Sequence, residues 1–284
     1  DLVSAATLVR DARWTRALAA AAPERVGAVS AVVGLSVDVA GLDGAVGDLV
    51  TLGGHRPGGA PAGAEPETAA EVVAVTPTVL RCMPLGRVEG LRVGMPARAT
   101  GRPLTVPTGD ALLGRVLDGL GRPVDGRGPL GAVTRVPVTG SAPSALERAR
   151  VAQPLALGVR ALDTMATVGR GQRIGLFAGS GVGKSSLLSM VARGTEAEVS
   201  VIALVGERGR EVREFLEDDL GPDGLARSVV VVATSDEPPL VRLRAAFAAT
   251  RIAESFRDAG RDVVLMMDSL TRVAMAQREI GLSV

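Results

Sequence analysis

One lysine stands in the whole chain, Lys184, while every other basic side chain of the 32 is arginine. It lies in the glycine-rich run Ala178-Gly-Ser-Gly-Val-Gly-Lys-Ser185. A lysine ammonium is a compact charge with three donors and can enter between two phosphates enclosed by backbone, where a flat guanidinium is too wide. The run has the form of a phosphate-binding loop with Ala178 in the first glycine position, an apolar stretch before it and an amphipathic one after it. Backbone N–H groups from Gly179 through Ser180, Gly181, Val182 and Gly183 to Lys184 can wrap a β-phosphate, with the N-terminus of the following helix adding partial positive charge. Lys184 would then bridge the β- and γ-phosphates, and Ser185 would offer a hydroxyl to Mg2+, a hard ion that takes oxygen ligands. A chance glycine turn is the competing reading, and a match of this form around the single lysine disfavours it.

Phosphoryl transfer also needs a carboxylate that holds the metal's waters and a group that places the attacking water. Asp268 closes the apolar run Val264-Leu-Met-Met267, so its carboxylate should emerge at the carboxyl end of a strand beside the loop. A helix cap before Ser269 and Leu270 is the alternative. Glu207, in Val205-Gly-Glu-Arg-Gly-Arg-Glu211, follows an apolar run in the same way. Spacing alone leaves it open between a general base and a solvated helix face, because Arg210/Glu214 and Arg213/Glu217 stand at i, i+4.

These groups need a scaffold. From Gly171 onward the pattern predicts strand then helix in alternation: strands at Arg173–Phe177, Val199–Val205, Ser228–Val232 and Val263–Met267, and helices at Lys184–Arg193, Arg210–Leu220 and Pro239–Arg257. The last helix carries Leu240, Leu243 and Phe247 on one side. Strands separated by helices of this length pair in parallel, giving an open α/β sheet that binds ligands beyond the carboxyl ends of its strands. Before it, residues 25–101 read as short Val-rich runs broken by turn residues, with candidate strands Val26–Val33, Ser36–Val39, Asp48–Leu52, Glu71–Val75 and Val79–Met83. They suggest a small barrel or sandwich. A Gly/Pro/Ala-rich loop at 53–67 holds His55, read as facing solvent, and a glycine-punctuated connector at 105–126 leads on. Residues 2–21 read as a helix with Arg10, Arg13 and Arg16 along one side. The expected division is a helical segment over 1–22, a β-barrel over 23–100 and a nucleotide-binding domain over 101–284.

Composition narrows the function classes. With one cysteine and one histidine, the chain excludes an internal disulfide and any multi-cysteine or multi-histidine metal site. A net charge of +1 with four Phe, one Trp and no Tyr offers neither a phosphate-tracking groove nor a stacking surface, so no nucleic-acid partner is expected. No uncharged run long enough to span a bilayer is present in the sequence, and a cytoplasmic location is expected.

With these residues in hand the chain resembles the hexameric ATPases related to the catalytic subunit of rotary ATP synthases, and within them the flagellar and type III protein-export ATPases. The likeness runs through Gly109-Asp-Ala-Leu-Leu-Gly-Arg-Val-Leu-Asp-Gly-Leu-Gly-Arg-Pro-Val-Asp-Gly126, Gly158-Val-Arg-Ala-Leu-Asp163, the loop at 171–184, Gly206-Glu-Arg-Gly-Arg-Glu211 and Asp268-Ser-Leu-Thr-Arg272. The ending Met275-Ala-Gln-Arg-Glu-Ile-Gly281 favours the flagellar branch. The resemblance implies a RecA-like P-loop domain, incomplete here, preceded by a small N-terminal β-barrel. It implies Mg2+ with ATP, Glu207 as the water-activating base, Arg208 steadying it or the γ-phosphate, Glu211 behind the metal's waters, and Asp268 holding Mg2+ through water. Ser186 stands where the family usually has Thr.

By the same resemblance the chain stops before the family's arginine finger, adenine-stacking aromatic and C-terminal helical domain. It is therefore expected to be a fragment that by itself hydrolyses ATP hardly at all. The complete protein would be a homohexamer working with export-apparatus and regulatory proteins on exported protein substrates, in the cytoplasm or at the inner face of the cell membrane. Two other classes share the loop: a noncatalytic nucleotide-binding subunit of a rotary motor, and an RNA-translocating hexameric helicase, against which the lack of aromatic platforms speaks.

Overall fold

The computed structural model describes residues 25–54, 67–179 and 181–283, together with Trp14. The expected N-terminal helix and His55 lie outside these residues, Trp14 apart. Alternating Val-rich runs curl into a closed antiparallel barrel of β1 (Val26–Val33), β2 (Ser36–Ala40), β3 (Asp48–Leu52), β4 (Thr68–Val75), β5 (Val79–Pro84) and β6 (Pro96–Pro103), in the order β1-β2-β5-β4-β3-β6. Val29, Val37, Val39, Val50, Leu52, Val72 and Cys82 fill it, as the inward-facing half of each strand must. The closing strand β6 was not expected. Its Pro, Gly and Arg content carries no strand signal, and it crosses the expected boundary at Thr100 to end at Pro103.

The glycine-punctuated connector is more ordered than its composition suggests. It forms β7 (Thr105–Thr108) and β8 (Arg115–Asp118), and β7 pairs with β9 (Thr134–Pro137) just beyond it. Two short strands, β10 (Pro154–Leu155) and β11 (Val168–Gly169), flank helix α1 (Arg160–Met165). Then come α2 (Lys184–Gly194), β12 (Val199–Glu207), α3 (Gly209–Glu214), a π-helical turn at Phe215–Leu220, α4 (Gly221–Ala226), β13 (Ser228–Thr234), α5 (Pro239–Asp258), β14 (Val263–Met267) and α6 (Leu270–Gly281).

The central sheet is parallel, in the order β14-β12-β13-β8, so part of the supposed connector supplies an edge strand. Both faces are covered, which is why β12 is apolar on both sides from Val201 to Val205. Val199, Val201, Ala203 and Val205 pack toward α5, while Ile202 and Leu204 pack with Leu188 and Val191 of α2. The expected strand at Arg173–Phe177 does not join this sheet. Its apolar residues suit a strand, but a strand exists only by pairing, and the segment pairs with no edge among the described residues; Phe177 is 99% exposed. On α5, Leu240 and Leu243 are buried as expected, but Phe247 is 41% exposed with the Arg244 guanidinium 5.5 Å from its ring centre.

Barrel and sheet share a core. Met83 and Leu85 of the barrel side pack into the cluster that holds α5. Beside them Glu71 of β4 accepts two hydrogen bonds from Arg244 of α5, one at 2.8 Å from Nε and one from Nη2. Among the described residues no helix is long and apolar enough to cross a membrane.

Candidate nucleotide site

The glycine-rich loop enters α2 through Gly181 and Gly183, both at positive φ (77° and 91°), a backbone that side chains with Cβ adopt at a cost. Gly183 is the N-cap and offers no side-chain hydrogen bond, which leaves the first-turn N–H groups of α2 open to an anion. Lys184 is half-buried at the helix start, Ser185 and Ser186 are exposed, and Gly179 and Val182 are exposed beside them; Ser180 lies outside the described residues. Lys184 makes no ion pair or hydrogen bond among the described residues.

The far end of α2 is pinned by Gly158. A Cβ there would lie 2.4 Å from the Gly194 carbonyl oxygen, and Gly158 also has φ 73°, so the crossing is open only to glycine. Asp163 caps the same turn by accepting from the Leu157 amide at 2.8 Å. The block at 109–126 is scaffolding of the same kind. Asp125 takes a bidentate pair from Arg115 (2.7 and 3.0 Å) and the amides of Val116 and Arg127. These bonds, the Arg115 pair foremost, hold its carboxyl well below the usual range.

At the carboxyl edge of the sheet, β12 ends in Glu207 and β14 is followed by Asp268, and the fold brings the two together although 60 residues separate them in sequence. Asp268 is buried, and its Oδ1 accepts from the Val205 amide at 2.9 Å. Ser269, whose hydroxyl accepts from the Arg272 amide at 3.3 Å, is the N-cap of α6, so the helix-cap reading of Asp268 falls away. Arg208 reaches Glu211 at 2.9 Å rather than Glu207. Of the two expected i, i+4 pairs, Arg213–Glu217 forms at 2.8 Å.

Arg272 completes the cluster, and sequence reasoning gave it no role. From the first turn of α6 its Nη1 contacts Glu207 Oε1 and lies 3.3 Å from Asp268 Oδ2. Its stem packs on Gly206, where φ is 70° and a Cβ would sit 3.0 Å from Arg272 Cδ. The signal was available: Asp268 and Arg272 stand at i, i+4 across a helix start.

Burial drives the Asp268 carboxyl up to about 7, with Glu207 adding to the rise and the Val205 amide opposing it. For Glu207 burial also pushes upward, but its interactions with the neighbouring Glu211, Asp268 and Arg272 side chains outweigh it and hold the carboxylate low. Of the two carboxyls Asp268 is thus the weaker acid and Glu207 the stronger. Glu207 Oε2 is buried and has no hydrogen-bond partner among the described residues. The residues present suit a hydrated hard cation that arrives with phosphates. No group of three His, Cys, Asp or Glu among the described residues could hold a metal by itself, and Mg2+ characteristically keeps several waters and takes one or two carboxylates. Among the described residues no ion pair or hydrogen bond of Lys184 ties the loop to this carboxylate cluster.

Known proteins resemble the chain over most of its length. A profile described as "ATP synthase alpha/beta family, nucleotide-binding domain" matches residues 158–284. The flagellum-specific ATP synthase of Treponema pallidum is 49% identical over 91% of this chain and 56% of its own length, and that of Bacillus subtilis is 48% identical over 92% and 58%. The type 3 secretion system ATPase of Xanthomonas euvesicatoria is 51% identical over 91% and 57%. Among solved structures, the assembled ATPase EscN in complex with its central stalk EscO, from enteropathogenic E. coli, superposes with a TM-score of 0.80 at 41% identity, covering 90% of this chain and 60% of that one. The chain thus spans a little over half the length of these relatives. Over about nine tenths of its length it is homologous to flagellum-specific ATP synthases and type 3 secretion system ATPases, and its residues 158–284 match the nucleotide-binding domain of the ATP synthase alpha/beta family.

Proposed function

We propose that the chain is the barrel and nucleotide-binding part of a subunit that hydrolyses MgATP and, as a homohexamer in the cytoplasm or at the inner face of the membrane, assists flagellar or type III protein export. Partners of the whole protein would be export-apparatus and regulatory proteins and the exported substrates. The observation that carries the reading is the pair of buried Asp268 and half-buried Glu207 at the sheet's carboxyl edge, in a chain whose one lysine sits in a glycine-rich loop of phosphate-binding form.

In this reading the loop from Gly179 to Ser186 binds the phosphates through backbone N–H groups, and Lys184 neutralises their charge. Ser185 and Asp268, the latter through water and with Glu211 behind it, would hold Mg2+. When bound, that ion screens the phosphate charge and polarises the γ-phosphoryl oxygens. Asp268 must give up its proton to do so, and a nearby dication favours that loss. Glu207 is too weak a base, with Arg272 against it, to strip a proton from water early. Its unpartnered Oε2 instead accepts a hydrogen bond from water and orients it in line with the γ-phosphate, with the proton leaving late in a loose transition state. Arg208 stands next to Glu207 to steady the charge that develops.

The test is steady-state hydrolysis by the full-length protein that contains this sequence. Glu207→Gln should bind MgATP near the wild-type level and lose turnover by about 100-fold or more, whereas Lys184→Ala should lose both. Undiminished turnover in Glu207→Gln would remove Glu207 from the reaction, and MgATP binding without turnover by the wild type would favour a noncatalytic nucleotide-binding subunit.

A further inference from the structure

Arg272 reaches Glu207 and Asp268 from the first turn of α6, so the placement of that helix decides how the two carboxylates are held. Its other end is tied down twice. Glu279 Oε2 accepts from Arg242 Nη2 at 2.5 Å, and the largely buried Arg242 also donates from Nε to the Glu237 carbonyl at 3.0 Å. From the barrel, Ser36 Oγ donates to the Ser283 carbonyl at 2.7 Å, and Ser283 Oγ donates back to the Glu279 carbonyl at 2.8 Å. Arg242 lies at the start of α5, just after the carboxyl end of β13, and its amide bonds the Pro238 carbonyl at 3.1 Å. Helix α6 therefore runs along the carboxyl edge of the sheet, from the end of β14 to the start of α5.

Along α6 only Ala276 and Ile280 are fully buried, and Leu270, Met275 and Leu282 are exposed. With Val273 only partly buried against the same core, this short apolar seam resists sliding or rotation of the helix weakly, and packed helices shift by ångströms between discrete arrangements. An ion pair at the last turn removes that freedom. Arg272 and Glu279 are seven residues apart, about 10 Å along the helix, a span that a three-turn helix crosses as a rigid body.

We propose that Arg242 is a positioning residue for the carboxylate pair: by fixing Glu279 it sets the register of α6 in which Arg272 meets Glu207 and Asp268. The functional half of this proposal rests on the nucleotide-site reading above; the mechanical half does not. Neighbouring Arg244 bonds Glu71 of the barrel, so the start of α5 ties barrel, sheet and α6 at one junction.

Hydrogen exchange of this chain without nucleotide reads the tether. Arg242→Ala should speed exchange of the Arg272 and Val273 amides, remote from the substitution, by about tenfold or more while β12 stays protected. Arg242→Lys, whose ammonium can still reach Glu279, should remain within about twofold of wild type. A rise confined to residues 278–283, or an equal rise in both variants, overturns the proposal.

Titration with ATP, with and without Mg2+, supplies the functional readout. Arg242→Ala should lose about fivefold or more of the affinity gained from Mg2+ and keep its Mg2+-free affinity, a split that general destabilisation would not produce. An unchanged gain from Mg2+ in Arg242→Ala overturns the functional half. If the wild type binds no nucleotide under either condition, the nucleotide-site reading and the functional half both fall, and the exchange result still decides the tether.

Discussion

Replacing Glu71 by Gln should cost this molecule more than any surface change of charge. The Glu71 side chain is 4% exposed and that of Arg244 13%, so the pair is desolvated and bidentate. Removing one partner of such a pair leaves a buried guanidinium without its counter-charge, at a cost of about 3–5 kcal/mol. Against a total stability of roughly 5–15 kcal/mol that is a large share. With a urea slope of about 2–3 kcal/mol/M, the midpoint of the transition that involves α5 should fall by about 1–2 M.

Arg244→Met alone should be comparably destabilised. The double variant Glu71→Met/Arg244→Met, which fills the space with apolar side chains, should recover most of the loss. Urea unfolding of the wild type, Glu71→Met, Arg244→Met and the double variant, followed by circular dichroism, closes the cycle. A coupling energy below about 1 kcal/mol, the range of exposed ion pairs, would refute the argument that this contact is desolvated and joins barrel to sheet.

Two further outcomes follow from the titration shifts. Burial, with the Asp38 charge adding, pushes the Cys82 thiol up to about 12, and the side chain is sealed inside the barrel; Ellman's reagent should label it only as fast as the barrel opens, and prompt labelling in buffer would contradict the barrel core. Asp268 is raised, so the native state keeps a proton that the unfolded chain releases above the ordinary carboxylate range. Its contribution to stability is complete below that range and is lost as pH rises toward about 7, at a limiting slope of about 1.4 kcal/mol per pH unit. Asp268→Asn should flatten urea midpoints measured across that window, and an unchanged slope would show that Asp268 is ionised throughout.

What could be read from the sequence was whatever depends on local pattern. The runs Val26–Val33, Asp48–Leu52 and Val263–Met267 carry their β signal in their own residues, and each is a strand with those bounds. Where a strand depends on its partner, the residues are a poor guide. Arg115–Asp118, set among glycines, becomes a strand because β13 offers it an edge, while Arg173–Phe177 has the right composition and finds none. Glu207 and Asp268 each stood out as a carboxylate ending an apolar run. Their meeting, and the guanidinium of Arg272 between them, depends on parallel pairing of β12 with β14 and on the direction in which α6 leaves the sheet. No spacing in a linear chain states that. Phe247 was expected inward from its place beside Leu240 and Leu243, but it lies at the rim of that face, where Arg244 covers it.

The most direct test is calorimetric titration of this chain with ATP in the presence of Mg2+, repeated on Lys184→Ala. One saturable site per chain that is lost in the variant, at unchanged melting temperature, is the predicted result. Absence of saturable binding to the wild type, or equal binding by the two proteins, would contradict the assignment of the loop at 178–185 as a nucleotide site.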